Sequence, residues 1–408
     1  MRTVLISGGG IAGPALAFWL RRHGFAVTVV ERGPGVRPGG QAVDVRGVAL
    51  DVIERMGLLE EARRVRTRMR GMSVLDPEGK EIDRSTEVAL SSGRLDSDDI
   101  ELLREDLVRM VFERTRGDVE YLFGDTITAL DEDGTGVRVD FGHAPSRTFD
   151  LVVGADGLHS TVRRLAFGPE ERFAHHLGSY LSVFSADNFL GLEDWQVWLR
   201  DGDIGFGIMA VRDNTELRVA FGFESGPLAR DAGALRRIIT ERLASLRWEG
   251  PRLAEAARNA PDFYCDAMAQ IRMDRWSQGR VALLGDAGYC PSPLSGQGTS
   301  LALVGAHVLA DCLAQAPGDH TAAYTRYEER MRPFVALNQS LATENPGGPA
   351  GEGSVERAKN ALSLDGSRAA VSRLPGSGRQ GTIGGWTMSC VRCGPMSGSG
   401  HGRSGWPR

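Results

Sequence analysis

The sequence predicts an α/β fold in which a Rossmann-like dinucleotide-binding domain carries an inserted, sheet-rich domain. Three observations predict it. The chain opens with a strand, a glycine-rich turn, a helix and a second strand. Two later buried strands run into short Asp-Gly and Gly-Asp motifs, at residues 151–157 and 281–287. Between them, from about residue 172 to 225, apolar residues alternate as in an open antiparallel sheet.

The opening unit has the residue types that hold a dinucleotide. After the strand at residues 3–7, the turn fits G-x-G-x-x-G, and each glycine has its own task. Gly8 permits the tight turn, Gly10 lets backbone approach a pyrophosphate, and Gly13 lets the helix pack on the sheet. The helix N-terminus offers free N–H groups to the phosphates. Glu31, which ends the second strand, is placed to accept hydrogen bonds from a ribose diol.

Apolar periodicity predicts the remaining elements. Helices are predicted at residues 48–59, 104–114, 234–246, 299–314 and 321–342, and strands at residues 119–123, 127–130, 137–141, 151–153 and 281–284. The pair Asp133-Gly134 predicts a hairpin between two of these strands. Beyond about Asp365, glycines interrupt every possible helix, and we expect this tail to be disordered.

Composition excludes several classes of protein. The 408 residues carry a formal charge of −5, which gives no support for a nucleic-acid partner. No apolar run is long enough for a membrane span. The apolar N-terminal segment lacks a basic region and is used by the opening unit, so no signal peptide is expected. Five scattered cysteines suit a reducing cytoplasm. Cys390 and Cys393 form a lone C-x-x-C pair that lacks the further ligands of a zinc site, so no metal site is predicted.

Three separated motifs together indicate a family. They are the opening glycine turn, the segment Gly154–Arg163, and the late segment that joins Gly285-Asp286-Ala287 to Gly296-Gln297-Gly298-Thr299. In this order they resemble the class A flavoprotein monooxygenases, the p-hydroxybenzoate hydroxylase-like group, over roughly residues 1–365. Within that group the chain is similar to single-component bacterial enzymes that oxidise polycyclic antibiotics, including tetracycline-inactivating ones. The resemblance implies a Rossmann-like FAD-binding domain with an inserted sheet-rich substrate domain.

The resemblance also implies which residues bind the cofactor. The opening unit takes the ADP half of FAD, while Asp156 and Gly157 serve both FAD and the nicotinamide coenzyme. Asp286 accepts a hydrogen bond from a ribityl hydroxyl, and the helix that opens at Thr299 directs its N-terminus at the flavin ring. The implied cofactor contacts are Gly8, Gly10, Ala12, Gly13, Glu31, Arg32, Gln41, Arg46, Arg104, Asp156, Gly157, Asp286, Pro291, Gly296, Gln297, Gly298 and Thr299.

The implied reaction belongs to the flavin. NADPH or NADH reduces FAD, O₂ reacts with the reduced flavin, and a C4a-hydroperoxide delivers one oxygen atom to the substrate while the other leaves as water. No catalytic side chain is assigned. Two alternatives stay open: another flavin redox enzyme on the same fold, namely a halogenase, dehydrogenase or reductase, or a non-catalytic flavoprotein that sequesters its ligand.

The substrate is expected between the flavin and the inserted sheet. An apolar wall and the absence of cationic clusters favour a bulky, polycyclic aromatic substrate, as in natural-product tailoring or antibiotic inactivation. Alternatively, each wall residue is ordinary core, since aromatic burial is common. The predicted wall residues are Trp198, Phe206, Met209, Phe221 and Phe223, with Pro291 on the flavin side.

The resemblance and the composition shifts give the expected domain organisation. The FAD-binding domain is assigned to residues 1–70, 95–170 and 270–345, and the substrate-binding domain to residues 71–94 and 171–269. Residues 346–365 are expected to form a C-terminal helix, and residues 366–408 the glycine-rich tail. We expect a cytoplasmic monomer or weak homodimer, whose partners are O₂ and a small aromatic molecule.

Overall fold

Two β-sheets of different construction organise the chain. The computed structural model describes residues 2–345 and 349–365, so the predicted tail at 366–408 and the first three residues of the predicted C-terminal helix lie outside the described residues. The strands are β1 Thr3–Ser7, β2 Ala26–Glu31, β3 Ala42–Val45, β4 Gly71–Leu75, β5 Glu81–Ser85, β6 Val88–Ala89, β7 Gly93–Arg94, β8 Ile100–Leu103, β9 Glu120–Phe123, β10 Ile127–Glu132, β11 Val137–Phe141, β12 Arg147–Phe149, β13 Leu151–Gly154, β14 Ala174–Asp187, β15 Trp195–Asp201, β16 Ile204–Val211, β17 Glu216–Glu224, β18 Tyr264–Ile271, β19 Ser277–Gln278 and β20 Val281–Leu283.

The helices cover both faces of the first sheet and one face of the second. They are α1 Ala12–Arg22, α2 Val48–Arg55, α3 Leu59–Val65, α4 Arg104–Glu113, α5 Thr161–Ala166, α6 Ala232–Ala244, α7 Gly250–Asn259, α8 Asp286–Tyr289, α9 Gly298–Gln315, α10 His320–Glu344 and α11 Glu352–Lys359. In the described part of the chain, no helix combines the length and the apolar character needed to cross a membrane.

The first sheet is a parallel sheet built from distant parts of the chain. Its order is β19-β20-β13-β1-β2-β9, and only the β19–β20 pair is antiparallel. Val4, Leu5 and Ile6 of β1 are fully buried, because helices cover both faces of such a sheet. The loops that follow β1, β13 and β20 therefore leave the same edge of the sheet, which brings the three sequence motifs together.

The second sheet is a mostly antiparallel sheet of seven strands. Its order is β18-β14-β17-β16-β15-β4-β5, with β15 and β4 parallel. Helices α6 and α7 pack on one face, where Leu235, Ile239 and Leu253 join a continuous apolar core with the strands. The opposite face meets β3 and β8, which form a separate antiparallel pair.

The local predictions are mostly confirmed. Strands β10 and β11 pair antiparallel across the predicted Asp133-Gly134 turn, where Gly134 has a φ of 73°. The helix predicted at residues 48–59 is too long at its end. Helix α2 ends at Arg55, and Gly57, with a φ of 72°, turns the chain before α3 begins. Glycine reaches this left-handed backbone conformation without the steric cost that other residues meet.

Candidate cofactor and substrate site

In the glycine turn after β1, protein backbone leaves no room for a side chain at Gly8 and Gly13, whereas Gly10 has open space beside it. Gly8 has a φ of 112°, and its N–H donates to the carbonyl of Val30 at 2.8 Å. A Cβ built on Gly13 would lie 1.9 Å from the carbonyl oxygen of Gly8, so the helix packs here only without a side chain. A Cβ on Gly10 would have no neighbour within 4 Å. Gly10 therefore faces open space, where a pyrophosphate can approach backbone.

The N-terminus of α1 is prepared for an anion. Ile11 at the cap position makes no side-chain hydrogen bond to the helix, and the first turn contains no acidic residue. The first N–H groups of a helix need acceptors, and phosphate oxygens satisfy them. Ala12 is buried in this first turn, where its Cβ faces Gly285 of the third motif. The small side chain lets two of the motifs meet.

Glu31 lies at the end of β2, directly beside the glycine turn. Its carboxylate accepts hydrogen bonds from the N–H of Gly9 at 2.6 Å and from the N–H of Gly33 at 2.7 Å. The carboxylate thus holds the turn and the following loop together, and its position matches the one predicted for a ribose acceptor. Arg32 is exposed next to it.

Arg104 is a partly buried arginine beside Gly40. It begins α4, its N–H donates to the carbonyl of Gln41 at 3.0 Å, and its guanidinium passes against Gly40. Burial is the main cause that lowers the pKa of Arg104 to about 10, and the neighbouring Arg37 adds to it. Within residues 2–345 and 349–365, no carboxylate lies within ion-pair distance of Arg104. Two neighbouring arginines that lack such a partner fit the phosphates of FAD.

Asp156 supports the second motif from within. Its carboxylate accepts hydrogen bonds from the hydroxyl of Ser7 at 3.2 Å, the hydroxyl of Ser160 at 2.5 Å and the N–H of Thr161 at 2.9 Å. Burial raises its pKa, which these donors oppose. The side chain therefore fixes the loop to β1 and α5. Gly157, with a φ of 81° and open space beside it, presents backbone instead.

Arg163 ties the second motif to the third. This arginine is fully buried, and its guanidinium donates to the carbonyl of Leu158 at 2.6 Å and to the carbonyl of Ala287 at 2.9 Å. It also donates to the carboxylate of Glu170 at 2.9 Å. Arg163 thus supports both motifs, since one planar cation fixes the two loops relative to each other.

His159 links the same loop to the second sheet. Its Nδ1 lies 2.8 Å from a carboxylate oxygen of Glu170, and its Nε2 lies 3.0 Å from one of Asp266 on β18. Burial disfavours the charged imidazole, but the two carboxylates outweigh it and raise the pKa of His159. The hydroxyl of Tyr264 donates to Asp266 at 3.0 Å. The imidazolium therefore acts as a clamp between the two parts of the fold.

Asp286 lies at the start of the third motif, in the first turn of α8. Burial raises the pKa of Asp286, and a hydrogen bond from the Cys290 thiol opposes that shift. A Cβ built on Gly298 would lie 3.8 Å from its Oδ1, so the carboxylate faces the glycine loop. An acceptor-only group without a cation in the described part of the chain fits hydroxyl donors such as those of a ribityl chain.

The loop before α9 has the other features expected of a flavin contact. Gly296 has a φ of 64°, and Pro291, Gln297 and Thr299 are buried around it. Both polar atoms of the fully buried Gln297 amide lack a partner among the described residues, which is costly unless a ligand supplies one. Helix α9 starts without a side-chain cap and without an acidic residue in its first turn. Its N-terminus therefore suits a ring that becomes negative.

Arg46 lies against this loop, as the resemblance implied. A Cβ on Gly296 would lie 3.6 Å from Nη1 of Arg46. The N–H of Arg46 donates to the hydroxyl of Ser300 in α9 at 3.1 Å, and its guanidinium contacts Asp44 at 2.8 Å. The geometry thus brings together the residues predicted from all three motifs, and it fits FAD at the phosphate, ribityl and ring positions.

The predicted substrate wall divides between two faces of the second sheet. Trp198 lies opposite Gly207, and Met209 lies opposite Gln196, so all four share one face. The Trp198 ring covers Gly207, and Met209 packs with Leu103 of β8. This face meets β3 and β8, close to Arg46, and its two predicted wall residues are therefore suitably placed.

The prediction that Phe206, Phe221 and Phe223 line the substrate wall is wrong. All three point to the opposite face, where they join the core beneath α6 and α7. The ring of Phe206 stacks on Trp248 with centroids 5.9 Å apart, and the Arg242 guanidinium lies 4.6 Å over Phe223. Successive side chains along a strand point to opposite faces of the sheet. A strand whose buried face is assigned wrongly therefore has all its side chains placed on the wrong face.

Two polar residues near Trp198 and Met209 were not predicted from the sequence. Arg218 lies opposite Met209 and is buried between Asp262 at 2.6 Å and Glu216 at 2.6 Å. Glu101 lies opposite Asp44 in the β3–β8 pair. The alternation in β17 carries a signal for Arg218, because a lone arginine in an apolar strand indicates a paired, buried charge.

Comparison with known proteins gives the family. Residues 1–339 match the family model described as FAD binding domain. An uncharacterized protein of Mycobacterium tuberculosis is 52% identical over 352 residues, which cover 85% of this chain and 95% of that protein. A flavin-dependent monooxygenase of Legionella longbeachae is 38% identical over 341 residues, which cover 83% of this chain and 87% of that enzyme.

Solved structures agree with the sequence matches. The tetracycline destructase Tet(55) is 34% identical with a TM-score of 0.79, and the match covers 90% of this chain and 99% of that one. The tetracycline destructase Tet(51) is 36% identical with a TM-score of 0.77, covering 84% and 89%. The chain therefore belongs to the FAD-binding-domain family, as an FAD-dependent monooxygenase with the p-hydroxybenzoate hydroxylase-like fold. The predicted fold and enzyme class are confirmed.

Proposed function

We propose that this FAD-dependent monooxygenase consumes NADPH or NADH and inserts one oxygen atom from O₂ into a bulky, polycyclic aromatic substrate. Bound FAD supplies the oxygen-activating chemistry, and the hydroperoxide route implied by the family stays a prediction. The protein supplies binding, orientation and exclusion of water. The natural role that fits is tailoring or inactivation of an antibiotic-like molecule, in the cytoplasm, by a monomer or weak homodimer.

One observation carries the substrate proposal. The side chain of Trp198 lies across Gly207, and Gly205 and Gly222 lie opposite each other on the same face of the second sheet. Residues without side chains leave room above the sheet, and the indole offers a flat apolar surface beside it. A planar, multi-ring molecule matches this shape, and the tetracycline destructases among the structural relatives support the same substrate class.

The cofactor contacts are part of the same proposal. Arg104 and the N-terminus of α1 bind the pyrophosphate, Glu31 binds the ribose, Asp286 binds the ribityl chain, and Arg46 lies at the ring. Each of these groups can still donate or accept a hydrogen bond, in addition to those it makes with the described protein atoms. Asp156 acts mainly by holding its loop, so we assign the backbone at Gly157 to the cofactor.

The test uses the purified full-length chain loaded with FAD. We expect a panel of polycyclic phenols, with a tetracycline included, to stimulate NADPH or NADH oxidation and to gain one atom of ¹⁸O from ¹⁸O₂. Trp198→Ala should change which phenols stimulate oxidation, whereas Phe221→Leu on the opposite face is the matched control and should not. Stimulated oxidation without ¹⁸O in any product contradicts the proposal and indicates a reductase or dehydrogenase instead.

A further inference from the structure

Two carboxylates share a buried position that the cofactor contacts above do not use. Asp44 on β3 and Glu101 on β8 are directly opposite partners in an antiparallel pair. Residues in such positions point to the same side, with Cβ atoms about 4.5–5.5 Å apart. The Asp44 side chain is 10% exposed and Glu101 is 6% exposed. Two acids therefore meet away from water.

One guanidinium faces this pair. Arg46 contacts Asp44 at 2.8 Å and also attracts the carboxylate of Glu101. The next charge is Asp99, whose carboxylate contacts Lys359 at 3.0 Å, and Lys359 also contacts Glu356 at 2.9 Å. With both acids ionised, the cluster of Asp44, Glu101 and Arg46 carries one negative charge in excess. Buried charge without a partner is costly, so the excess favours binding of one proton.

Neutral donors complete the surroundings. The hydroxyl of Thr67 donates to Glu101 at 2.8 Å, and Ser91 also hydrogen-bonds that carboxylate. Burial is the main cause that raises the pKa of Asp44 to about 7, and Glu101 and Asp99 add to it while Arg46 opposes it. Burial raises the pKa of Glu101 as well. Both pKa values are raised, which agrees with the excess negative charge of the cluster.

The cluster touches the loop assigned to the flavin ring. A Cβ on Gly296 would lie 3.6 Å from Nη1 of Arg46 and 4.0 Å from Oδ2 of Asp44. Backbone of Arg46 is hydrogen-bonded to Ser300 in the first turn of α9. A change of charge on a ring that occupies this loop is therefore felt by the acid pair across a few ångströms of low-dielectric protein.

We propose that Asp44 and Glu101 share one proton, and that this proton keeps the surroundings of the flavin neutral when the flavin gains negative charge. Hydride transfer brings two electrons and one proton to the neutral flavin and leaves it with one added negative charge. A fully ionised pair beside it adds a second negative charge, whereas a singly protonated pair leaves Arg46 balanced by one carboxylate. The two acids act through Arg46 and the Gly296 loop, as positioning residues.

The first experiment observes the proton directly in the full-length chain. Aspartate is labelled with ¹³C at its side-chain carboxyl, and the carboxyl resonances are followed by NMR as pH is varied. One aspartate should titrate near pH 7, and its resonance should be missing in Asp44→Asn. In Glu101→Gln the same titration should fall by about one to two units, since a like charge has been removed. Asp118→Asn, at an exposed turn, is the control that should leave it unchanged.

The second experiment tests the link to the flavin. FAD bound to the chain is reduced by dithionite, with no substrate and no nicotinamide coenzyme present. The Asp44 titration should move to higher pH on reduction. The result therefore depends only on FAD binding, and a wrong substrate or reductant assignment leaves it unaffected.

Three results overturn the proposal. They are an Asp44 resonance, identified by its loss in Asp44→Asn, that does not titrate above about pH 5, a Glu101→Gln chain whose Asp44 titrates as in the wild type, and an Asp44 titration that reduction does not move. Each variant keeps one carboxylate facing one guanidinium, so both are expected to fold. The first and third results are measured on the wild-type chain, with Asp44→Asn used only to assign the resonance.

Discussion

A methyl group added at Gly10 should have the opposite consequence from one added at Gly13. At Gly13 the new Cβ would lie 1.9 Å from the carbonyl oxygen of Gly8. Helix α1 must then move away from the turn by more than an ångström, and such overpacking costs about 1–3 kcal/mol. At Gly10 no atom lies within 4 Å. The stability of the FAD-free chain should then change by no more than about 0.5 kcal/mol.

The effect of the Gly10 substitution should appear in the affinity for FAD. The methyl group of Gly10→Ala points into the space assigned to the pyrophosphate, so we expect FAD affinity to fall about 10- to 100-fold, which is about 1.4–2.8 kcal/mol. Urea unfolding of the FAD-free chain measures the first quantity, and titration of flavin fluorescence measures the second. Gly117→Ala, at a position that is also open, is the matched control.

Three results would contradict these expectations for Gly10 and Gly13. Wild-type FAD affinity in Gly10→Ala would show that no cofactor group approaches this backbone. Wild-type unfolding in Gly13→Ala would show that the helix does not pack on the turn as described. Loss of stability in both variants, with normal affinity for FAD in the folded fraction, would also contradict the division of tasks between the glycines.

Three further predictions follow from single contacts. Arg163→Lys should lower the free energy of unfolding by about 3–5 kcal/mol, because lysine cannot reach both loop carbonyls and the carboxylate; a loss below about 1 kcal/mol in urea unfolding would refute this. Phe221→Ala should cost about 3–5 kcal/mol of stability by leaving a core cavity, and an unchanged melting temperature would contradict its assignment to the core. The stabilising contribution of His159 should be fully present below pH 6.5, its unfolded-state pKa. Because the folded pKa is raised, that contribution is lost as pH rises above this value. His159→Gln should abolish this decline in unfolding measurements, and a decline of unchanged size would exclude the imidazolium clamp.

The cofactor side of the site was predictable because backbone geometry dictates its residue types. Gly8 and Gly13 stand where any side chain would collide with protein, and a turn of this shape therefore appears in the sequence as glycine. Glu31 was equally predictable, since its position is fixed by the length of the strand that it ends. Where backbone geometry restricts the residue type at a position, that restriction is visible in the sequence.

The substrate side was not predictable to the same degree. In β16, apolar residues point to both faces, so alternation alone does not say whether Phe206 or Met209 faces the proposed substrate site. From the sequence, both residues are therefore predicted to line the substrate wall, and the structure places Phe206 under α6 and α7. The choice depends on which face the helices cover, and that is a tertiary property.

The acid pair was missed for a related reason. Asp44 and Glu101 lie far apart in the chain and become neighbours only when β3 pairs with β8. In sequence, each is one acid among many in a chain with 53 Asp and Glu residues. The register of a short two-stranded pair decides the contact, and register is poorly specified by a pattern of four residues.

The alternation of side chains in the second sheet separates specificity from stability. Along β15, β16 and β17, every second residue belongs to the core under α6 and α7, while the residues between them lie on the face toward β3 and β8, where we propose the substrate. Substitutions at Trp198, Gly207 or Met209 can therefore reshape the proposed substrate site without opening a hole beneath the helices. A family with this arrangement can acquire new substrates by small changes on one face while inheriting its folding energy from the other.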